Sequence, residues 1–382
     1  MSRQNSLDPV SGAPDLPTTA AGVAVDVAVC FGNSSVRVLA VGVGAGAADG
    51  FSCLINSAHP RPAAWGAPWL DDDAANAKPT PRSLRAHLLY LLDERRLAVR
   101  SLTLVVSGRV LHAAGAVELS FLLGEAFTGR ALLPELRAAL PRARPCGIAL
   151  INDTACSAIQ AYLALSRELA EQQQRQQQRE PGCGAPALFP ALVVDAGTGC
   201  SFAYVHLAPH SRVRVVLLEP WVGMPVRLFA EFHAPTQGAA TGGAAAVAAA
   251  GETMPLWQAV SDEALRAVGA AAFNVRMQHA LAAVQQRLAG AAAGPAAAAA
   301  AGPLRAVYFT GGNSTVLQRA AVEAAAPGLQ VRGLPRAGEP APSREQARDA
   351  YLRAALAVTS IGHLVDIHNV GEELRPGGVM LG

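Results

Sequence analysis

The segment Ile148-Ala-Leu-Ile-Asn-Asp-Thr-Ala-Cys156 joins a short apolar run to a polar triplet and then to small residues. A short apolar run that ends abruptly predicts a buried β-strand. The triplet Asn152-Asp153-Thr154 is typical of a helix start, because such side chains accept hydrogen bonds from the free amide groups of the first turn. The segment therefore predicts a strand that leads directly into a helix, with Asp153 at the junction.

The rest of the chain alternates between strand and helix patterns around this junction. The valine-rich residues 22–43 predict a β-hairpin, and residues 108–130 are predicted to be irregular. Further apolar runs predict strands over residues 102–106, 148–151, 188–195, 201–207, 213–218, 305–309 and 329–331. Helical spacing predicts helices over residues 83–96, 131–140, 155–169, 256–288 with a break near Gly269, 314–325 and 344–359. This alternation predicts an α/β fold.

The chain has 382 residues, which is long enough for two domains. We predict a disordered tail over residues 1–21, a smaller N-terminal lobe over 22–152 and a larger C-terminal lobe over 153–382. Runs of glutamine, alanine and glycine predict low-complexity inserts in the C-terminal lobe. These inserts are expected near residues 170–187, 238–251 and 290–302.

The composition argues against several classes of protein. A net charge of +2 disfavours a nucleic-acid partner, because proteins that bind nucleic acids usually carry a basic excess. No run of about 20 strongly apolar residues is present, so no membrane partner is expected. Lys78 is the only lysine, and the phosphate loop G-x-x-x-x-G-K-[ST] is therefore absent.

The six cysteines form neither a C-x-x-C pair nor a zinc-binding spacing. In a chain of this length they are expected to be reduced and mostly buried thiols, which favours a cytoplasmic location. Residues 1–21 lack the apolar core of a signal peptide, while organellar targeting is left open. The cysteines are Cys30, Cys53, Cys146, Cys156, Cys183 and Cys200.

The residues that indicate a chemical function lie in four polar turns, and each turn comes directly after a predicted strand. In open α/β sheets, ligands bind beyond the carboxyl ends of the strands, where such turns lie. Glycine lets the backbone approach a ligand closely, and turn amides with hydroxyl groups can hold phosphate oxygens without a lysine. An aspartate at a strand-to-helix junction is placed to accept a proton from a hydroxyl group. The turns are Cys30-Phe-Gly-Asn-Ser-Ser35, Ile151-Asn-Asp-Thr154, Asp195-Ala-Gly-Thr-Gly-Cys200 and Thr310-Gly-Gly-Asn-Ser314.

In this order the turns resemble those of the sugar-kinase, actin and heat-shock ATPase superfamily, and most closely those of the hexokinases. Ile148–Cys156 looks like the hexokinase segment whose Asn-Asp-Thr supplies the catalytic base, and Gly197-Thr-Gly-Cys-Ser-Phe-Ala-Tyr204 looks like the second phosphate loop. Glu219-Pro-Trp-Val-Gly223 lies where the family has a sugar contact, and Thr310-Gly-Gly-Asn313 resembles its adenosine loop. The resemblance covers roughly residues 22–360.

The resemblance implies a two-lobed actin-like ATPase fold, related to ribonuclease H, with a cleft between the lobes. It also implies ATP-dependent phosphorylation of a sugar hydroxyl, with Asp153 as the general base and Mg²⁺ bridging the phosphates. The implied substrate-binding residues are Asn152, Glu219, Ser201 and Ser107. The implied nucleotide-binding residues are Gly32, Asn33, Ser34, Ser35, Gly197, Thr198, Gly199, Gly311, Gly312 and Asn313.

The sequence also departs from the family pattern at the first phosphate loop and the sugar site. Cys30 stands where the family has an aspartate, and it is expected to be a buried structural thiol rather than a nucleophile. Asp26 lies on the same strand face but ~13 Å away, too far to replace that aspartate. Glu125 stands near the family's Thr-Lys sugar contact. Two alternatives therefore stay open, a catalytically impaired sugar or nucleotide sensor and another kinase of the superfamily such as a pantothenate kinase.

Overall fold

The computed structural model describes parts of the chain between residues 24 and 369. The described residues are 24–31, 35–43, 51–60, 98–112, 114–119, 129, 131–134, 147–179, 187–197, 199–208, 212–218, 233–235, 253–255, 260–292 and 303–369. The predicted tail over 1–21, the predicted helix over 83–96 and the predicted insert over 238–251 lie outside them.

Seven described strands precede Asp153 in the chain. They are β1 (Ala24–Phe31), β2 (Ser35–Val43), β3 (Phe51–Pro60), β4 (Ala98–Val106), β5 (Arg109–Leu111), β6 (Ala116–Leu119) and β7 (Gly147–Asn152). Five of them form the N-terminal sheet, in the order β3-β2-β1-β4-β7. The first three strands are antiparallel neighbours, whereas β4 and β7 run parallel to β1. β5 and β6 form a separate antiparallel hairpin.

The remaining strands are β8 (Ala191–Ala196), β9 (Cys200–Ala208), β10 (Arg212–Leu217), β11 (His233–Pro235), β12 (Thr253–Pro255), β13 (Ala306–Thr310), β14 (Gln330–Arg332) and β15 (Val365–Asn369). Six of them form the C-terminal sheet, in the order β14-β13-β8-β9-β10-β15. In this sheet β8, β9 and β10 are antiparallel neighbours, and β13 and β14 run parallel to β8.

The two sheets repeat one topology. In each sheet, three consecutive strands form an antiparallel meander, and two later strands add in parallel beside the first strand of that meander. The order β3-β2-β1-β4-β7 thus corresponds to β10-β9-β8-β13-β14, with β15 added at the outer edge. This duplication is not visible as a repeat in the amino-acid sequence.

Four α-helices are described from end to end, α1 (Asp153–Arg179), α2 (Asp262–Ala292), α3 (Arg319–Ala325) and α4 (Arg344–Ile361). Short 3₁₀ helices cover Gly312–Val316 and Gly362–Leu364. Gly269 interrupts α2 with φ 76° and ψ 168°, which confirms the predicted break. Ser343 caps α4, because its hydroxyl accepts from the amide of Gln346 while the side chain of Gln346 accepts from the amide of Ser343.

Most predicted strands and helices that fall on described residues are confirmed. Strands β3, β11 and β12 were not predicted, and the helix predicted over 314–325 is divided into a 3₁₀ helix (Gly312–Val316) and α3. Three further differences concern α1, residues 108–130 and β15. The predicted helix over 155–169 was expected to end before a low-complexity insert. Instead, the polar residues that follow it continue α1 to Arg179, because glutamine, glutamate and arginine are good helix formers. The stretch 108–130, predicted to be irregular, contains the β5-β6 hairpin. Strand β15 was also not predicted, although the apolar and polar residues of Val365–Asn369 alternate with the period of a β-strand.

Helices α1 and α4 lie between the two sheets and share one apolar core with both. This core includes Val105 and Ile151 of the N-terminal sheet and Val193 of the C-terminal sheet, together with Ala155 of α1 and Ala355 of α4. Burial of such side chains contributes about 1.5–3 kcal/mol for each large aliphatic group. None of the described helices combines the length and the hydropathy that crossing a bilayer requires.

Candidate functional site

The carboxyl ends of three parallel strands lie side by side at one edge of the N-terminal sheet. Phe31 of β1 lies beside Val106 of β4, and Val106 lies beside Asn152 of β7. Ser107 comes directly after β4, and Asp153 comes directly after β7. The register therefore brings these two predicted site residues to the same edge.

The C-terminal sheet presents a matching edge. Strands β8 and β13 are parallel, and Thr310 at the end of β13 lies beside Asp195 near the end of β8. The two glycine-containing turns of this sheet consequently begin next to each other. Asn313 connects them, because its Nδ2 donates to the carbonyl oxygen of Gly197 at 2.7 Å.

The first turn of α1 connects the two edges. Thr154 donates from Oγ1 to the hydroxyl oxygen of Ser201 on β9, at 2.7 Å. Ser157 donates from Oγ to Oδ2 of Asp195 on β8, at 2.6 Å. The helix that begins at Asp153 is therefore hydrogen-bonded to the edge of the C-terminal sheet within its first five residues.

Asp153 is half-buried, and its surroundings raise the pKa of its carboxyl group to about 7. Burial is the largest cause, and the negative charge of Asp195 adds to it. The hydroxyl of Ser107 and the amide of Thr154 donate to the carboxylate, the latter at 2.9 Å, and they act in the opposite direction. A carboxylate whose pKa lies near neutral pH is suited to accept a proton from a hydroxyl group.

Asn152 holds this arrangement in place rather than facing open space. Its side chain is fully buried, its Nδ2 donates to the carbonyl oxygen of Gly108, and its Oδ1 accepts from the amide of Ala155 at 3.1 Å. These bonds join the turn that follows β4 to the start of α1.

The glycine turn after β8 is closed by its own backbone. The amide of Gly197 donates to the carbonyl oxygen of Gly199 at 2.9 Å, and Gly199 is exposed. Thr198, which lies between them, is outside the described residues. A tight turn of this kind leaves backbone groups available to an incoming anion.

Gly311 allows the turn after β13 to pack directly on the end of β8. It has φ 87°, and a Cβ atom at this position would lie 2.5 Å from both the carbonyl oxygen of Ala196 and Oδ1 of Asp195. Gly312 differs, since no heavy atom lies within 4 Å of the equivalent Cβ position. Of the two glycines, only Gly311 is therefore needed for close packing between the ends of β8 and β13.

Ser157 and Tyr351 touch this region but belong neither to the predicted turns nor to the predicted site residues. Ser157 bonds Asp195, and its position four residues after Asp153 on one helix face was a usable signal. Tyr351 of α4 donates from its hydroxyl group to the carbonyl oxygen of Asp153 at 3.4 Å. No pattern in the sequence connects Tyr351 to Asp153, which lies almost two hundred positions away.

A search of solved structures finds chains of low sequence identity that are similar to this chain over most of its length. The glucokinase from Balamuthia mandrillaris in complex with glucose is 15% identical, with 90% of this chain and 95% of that chain covered and a TM-score of 0.47. The inorganic polyphosphate/ATP-glucomannokinase from Arthrobacter sp. strain KM is 14% identical, with 89% and 100% covered and a TM-score of 0.47. A ROK family transcriptional regulator, a homologue of the E. coli MLC protein, is 12% identical, with 89% and 81% covered and a TM-score of 0.45. No protein-family profile and no curated protein matches the sequence.

The chain is an α/β protein with two mixed sheets. These sheets repeat one topology and pack with helices, and the predicted α/β fold class is thereby confirmed. Three of the four predicted turns follow the carboxyl ends of β7, β8 and β13, where the structure describes them. A fold by itself does not specify an activity.

Cys30, at the end of β1 in this fold, is a buried thiol as predicted. Burial raises the pKa of the Cys30 thiol well above its ordinary value. The positive charge of Arg37 lowers this pKa, and the negative charge of Asp153 raises it. Arg37 lies opposite Cys30 in the β1-β2 register, and its guanidinium group is close enough to Arg348 of α4 for their charges to interact. Cys156 and Cys200 are also free and buried.

Asp26 takes no part in the candidate site. Its carboxylate accepts hydrogen bonds from the guanidinium group of Arg100 and from Oγ of Ser101, the latter at 2.7 Å. It lies four positions before Cys30 on β1 and is committed to a different contact. The carboxylate of Asp26 is therefore paired away from the end of β1.

Several predicted site residues lie outside the described residues. They are Gly32, Asn33, Ser34, Thr198 and Glu219, and Glu125 is outside as well. For Ser35 only the backbone is described, as the first residue of β2. Among described residues, no three histidine, cysteine, aspartate or glutamate side chains are grouped as a metal site.

Proposed function

We propose that this protein transfers a phosphoryl group from ATP to a hydroxyl group of a sugar, with Asp153 as the general base. The proposal rests on the pKa and the position of this carboxyl group. It lies at the carboxyl end of β7, where the two sheet edges meet, and its pKa is about 7. A base with this pKa is about half ionised at neutral pH and keeps useful affinity for a proton.

The turns of the C-terminal sheet support the phosphate-binding half of the proposal. Phosphoryl transfer depends mainly on positioning and on neutralising charge. The turn Gly197–Gly199 and the loop that begins at Gly311 lie together and carry backbone amides. Gly32, Asn33, Ser34 and Thr198 are proposed to complete the nucleotide site, together with Ser35, Gly312 and Asn313.

Asp153 and Asp195 are suited to a divalent cation that accompanies the nucleotide. The negative charge of Asp195 raises the pKa of Asp153, and burial raises the pKa of Asp195 itself. A cation beside these oxygens would relieve both effects, and Mg²⁺ is commonly held by one or two carboxylates plus substrate phosphates. Magnesium would supply charge neutralisation to the phosphates.

The other predicted substrate residues take different places in the proposal. We assign Asn152 to positioning, because its buried amide joins the turn after β4 to the start of α1. Ser107 is proposed to orient the carboxylate of Asp153, to which it donates. Ser201 is proposed to fix the first turn of α1 through Thr154, and Glu219 stays a predicted sugar contact.

The test is a coupled assay of ADP release by purified full-length protein with Mg-ATP. Hexoses, amino sugars and pantothenate serve as separate acceptors, and a reaction without acceptor measures background hydrolysis. Sugar-dependent release that disappears in Asp153→Asn supports the proposal. Release only with pantothenate identifies the other kinase, and release that needs no acceptor identifies an ATPase; both outcomes contradict sugar phosphorylation.

Turnover is expected to depend on pH through Asp153. The base works only when ionised, so kcat/KM should fall about tenfold for each pH unit below the pKa of about 7 and should level off above it. Initial rates between pH 5 and 9 measure this profile. Asp195→Asn removes one cause of the raised pKa, so the half-maximal point should move to lower pH; an unchanged profile in that variant would contradict the assignment.

A ligand sensor without turnover is the second candidate function. The observation that favours it is Cys30, a neutral buried thiol at the end of β1 where a kinase of this superfamily has a carboxylate. A protein of this kind binds sugar or ATP and gains thermal stability without releasing ADP. Binding of sugar or ATP without any release of ADP therefore distinguishes a sensor from a kinase.

Cys30→Asp distinguishes the two functions. For an active kinase we expect the substitution to change kcat by less than about twofold or to lower it, because a carboxylate at this position would add a negative charge close to Asp153. For a sensor, the same substitution would create turnover where the original protein has none. Cys30→Ser is the matched control, since it changes the thiol without adding charge, and ADP release measures all three proteins.

A further inference from the structure

A cavity of about 810 Å³ lies at the opposite end of the strands from Asp153. Its walls include Asp26 and Ser101, near the amino ends of β1 and β4, and Gly147, the first residue of β7. Asp26 is five residues from the carboxyl end of β1, which corresponds to about 17 Å along a strand. The cavity is therefore separate from the candidate active site.

Both sheets and the two helices between them contribute to this cavity. Tyr308 belongs to the C-terminal sheet, and Gln160 belongs to α1. The Oγ1 atom of Thr310 donates to Oε1 of Gln160 at 3.1 Å, and Thr310 directly precedes Gly311. A ligand in the cavity would therefore contact both sheets. The hydrogen bond between Gln160 and Thr310 would connect it to the loop that begins at Gly311 in the proposed phosphate site.

The cavity combines an apolar wall with an excess of positive charge. Leu163 of α1 and Ala357 of α4 are among its apolar lining residues. Its ionisable lining residues are Asp26, Arg100, Arg167 and Arg353, together with the phenol of Tyr308. Asp26 and Arg100 form an ion pair with each other, which leaves two positive charges uncompensated within the wall.

Arg167 and Arg353 are exposed, and neither forms a hydrogen bond or an ion pair with another residue in the part of the chain that the structure describes. Their positions on α1 and α4 place one guanidinium group on each of the two helices that enclose the cavity. Arginine forms charge-assisted hydrogen bonds with carboxylate, sulfonate and phosphate oxygens. The size of the cavity also falls within the range of about 300–1,000 Å³ that is usual for small-molecule sites.

We propose that this cavity is a second binding site, for a small amphipathic anion. The apolar body of the ligand lies against the wall that contains Leu163 and Ala357, and its anionic group binds Arg167 and Arg353. The site is independent of the proposed kinase reaction, because none of these four residues belongs to the candidate active site.

Anilinonaphthalene sulfonate is a suitable probe, and phenylnaphthylamine is its uncharged counterpart. With full-length protein we expect saturable fluorescence binding of both. The double variant Arg167→Gln/Arg353→Gln should weaken binding of the sulfonate at least about tenfold, while binding of the neutral probe changes less than about twofold. Arg175→Gln/Arg336→Gln is the matched control, since it removes the same charge from exposed arginines outside the cavity.

Ala350→Trp is the second test. Ala350 is exposed and lines the cavity, and a tryptophan side chain at this position can therefore fill the cavity without entering the core. It should weaken both probes, with the melting temperature reporting that the variant folds. The proposal is overturned if the cavity double variant binds the sulfonate as tightly as the original protein. Equal weakening by the control double variant would also overturn it, because the effect would then reflect net charge.

Discussion

Asp153→Asn is expected to lower kcat by about 10²–10⁴-fold, the usual contribution of a general base. Asparagine has nearly the same shape and can still accept the amide hydrogen bond of Thr154, so the start of α1 should be kept. The loss is therefore chemical rather than structural. ADP release at saturating substrate measures it, and retention of more than a tenth of the activity would show that another group accepts the proton.

The same substitution is expected to stabilise the folded protein at alkaline pH. The pKa of Asp153 is about 7 in the folded chain and 3.8 for an ordinary aspartate, so the folded state holds its proton longer as the pH rises. Stability is consequently lost between about pH 4 and pH 7, and the loss is complete above pH 7. Asparagine avoids this loss, which is on the order of 2–4 kcal/mol at pH 8.

Thermal unfolding at pH 8 and at pH 4 tests this stabilisation. The melting temperature of Asp153→Asn should exceed that of the original protein at pH 8, and the difference should nearly disappear at pH 4. Asp366→Asn is a useful contrast, because Asp366 accepts from Arg212 at 2.7 Å and its removal should destabilise at pH 8. Destabilisation by both variants would show that Asp153 is a structural residue.

Gly311→Ala is expected to destabilise the protein by about 2–4 kcal/mol and to weaken ATP binding at least about tenfold. Alanine at φ 87° is strained, and its Cβ would overlap with the carbonyl oxygen of Ala196 and with Asp195. The end of β8 and the loop after β13 must then separate. Because Asp195 lies at this contact, its hydrogen bond with Ser157 should be disturbed as well.

Gly312→Ala is the matched control for this effect. It is the same chemical change one residue later, but the added methyl group meets no heavy atom within 4 Å. We expect its stability to stay within about 0.5 kcal/mol of the original protein. Melting temperature and ATP titration measure both variants, and equal behaviour of the pair would contradict the close packing at Gly311.

Local features of the sequence sufficed for the elements around the candidate base. The apolar residues before Asn152 and the polar side chains that follow predict a strand-to-helix junction, since both the burial of the strand and the capping of the helix depend on neighbouring residues. The structure has that junction between β7 and α1. The break at Gly269 and the burial of Cys30 were likewise evident from the residues themselves.

The contacts that assemble the site depend on residues far apart in the chain. Ser157 reaches Asp195 over 38 positions, and Thr154 reaches Ser201 over 47. The raised pKa of Asp153 follows from burial and from the proximity of Asp195, neither of which is visible in the segment that contains it. Local propensity carries no information about such pairs. The helical spacing from Asp153 placed Ser157 on the same face of α1, but it did not identify Asp195 as its partner.

The sequence by itself thus determined an α/β chain with a carboxylate at one strand-to-helix junction and glycine turns after other strands. The tertiary structure alone decided that two sheets repeat one topology, that α1 joins their edges, and that Asp26 pairs with Arg100 away from the site. The physical reason is that capping, helical spacing and apolar runs act over a few residues. Strand order, mutual burial and electrostatic coupling arise only when distant segments share the same space.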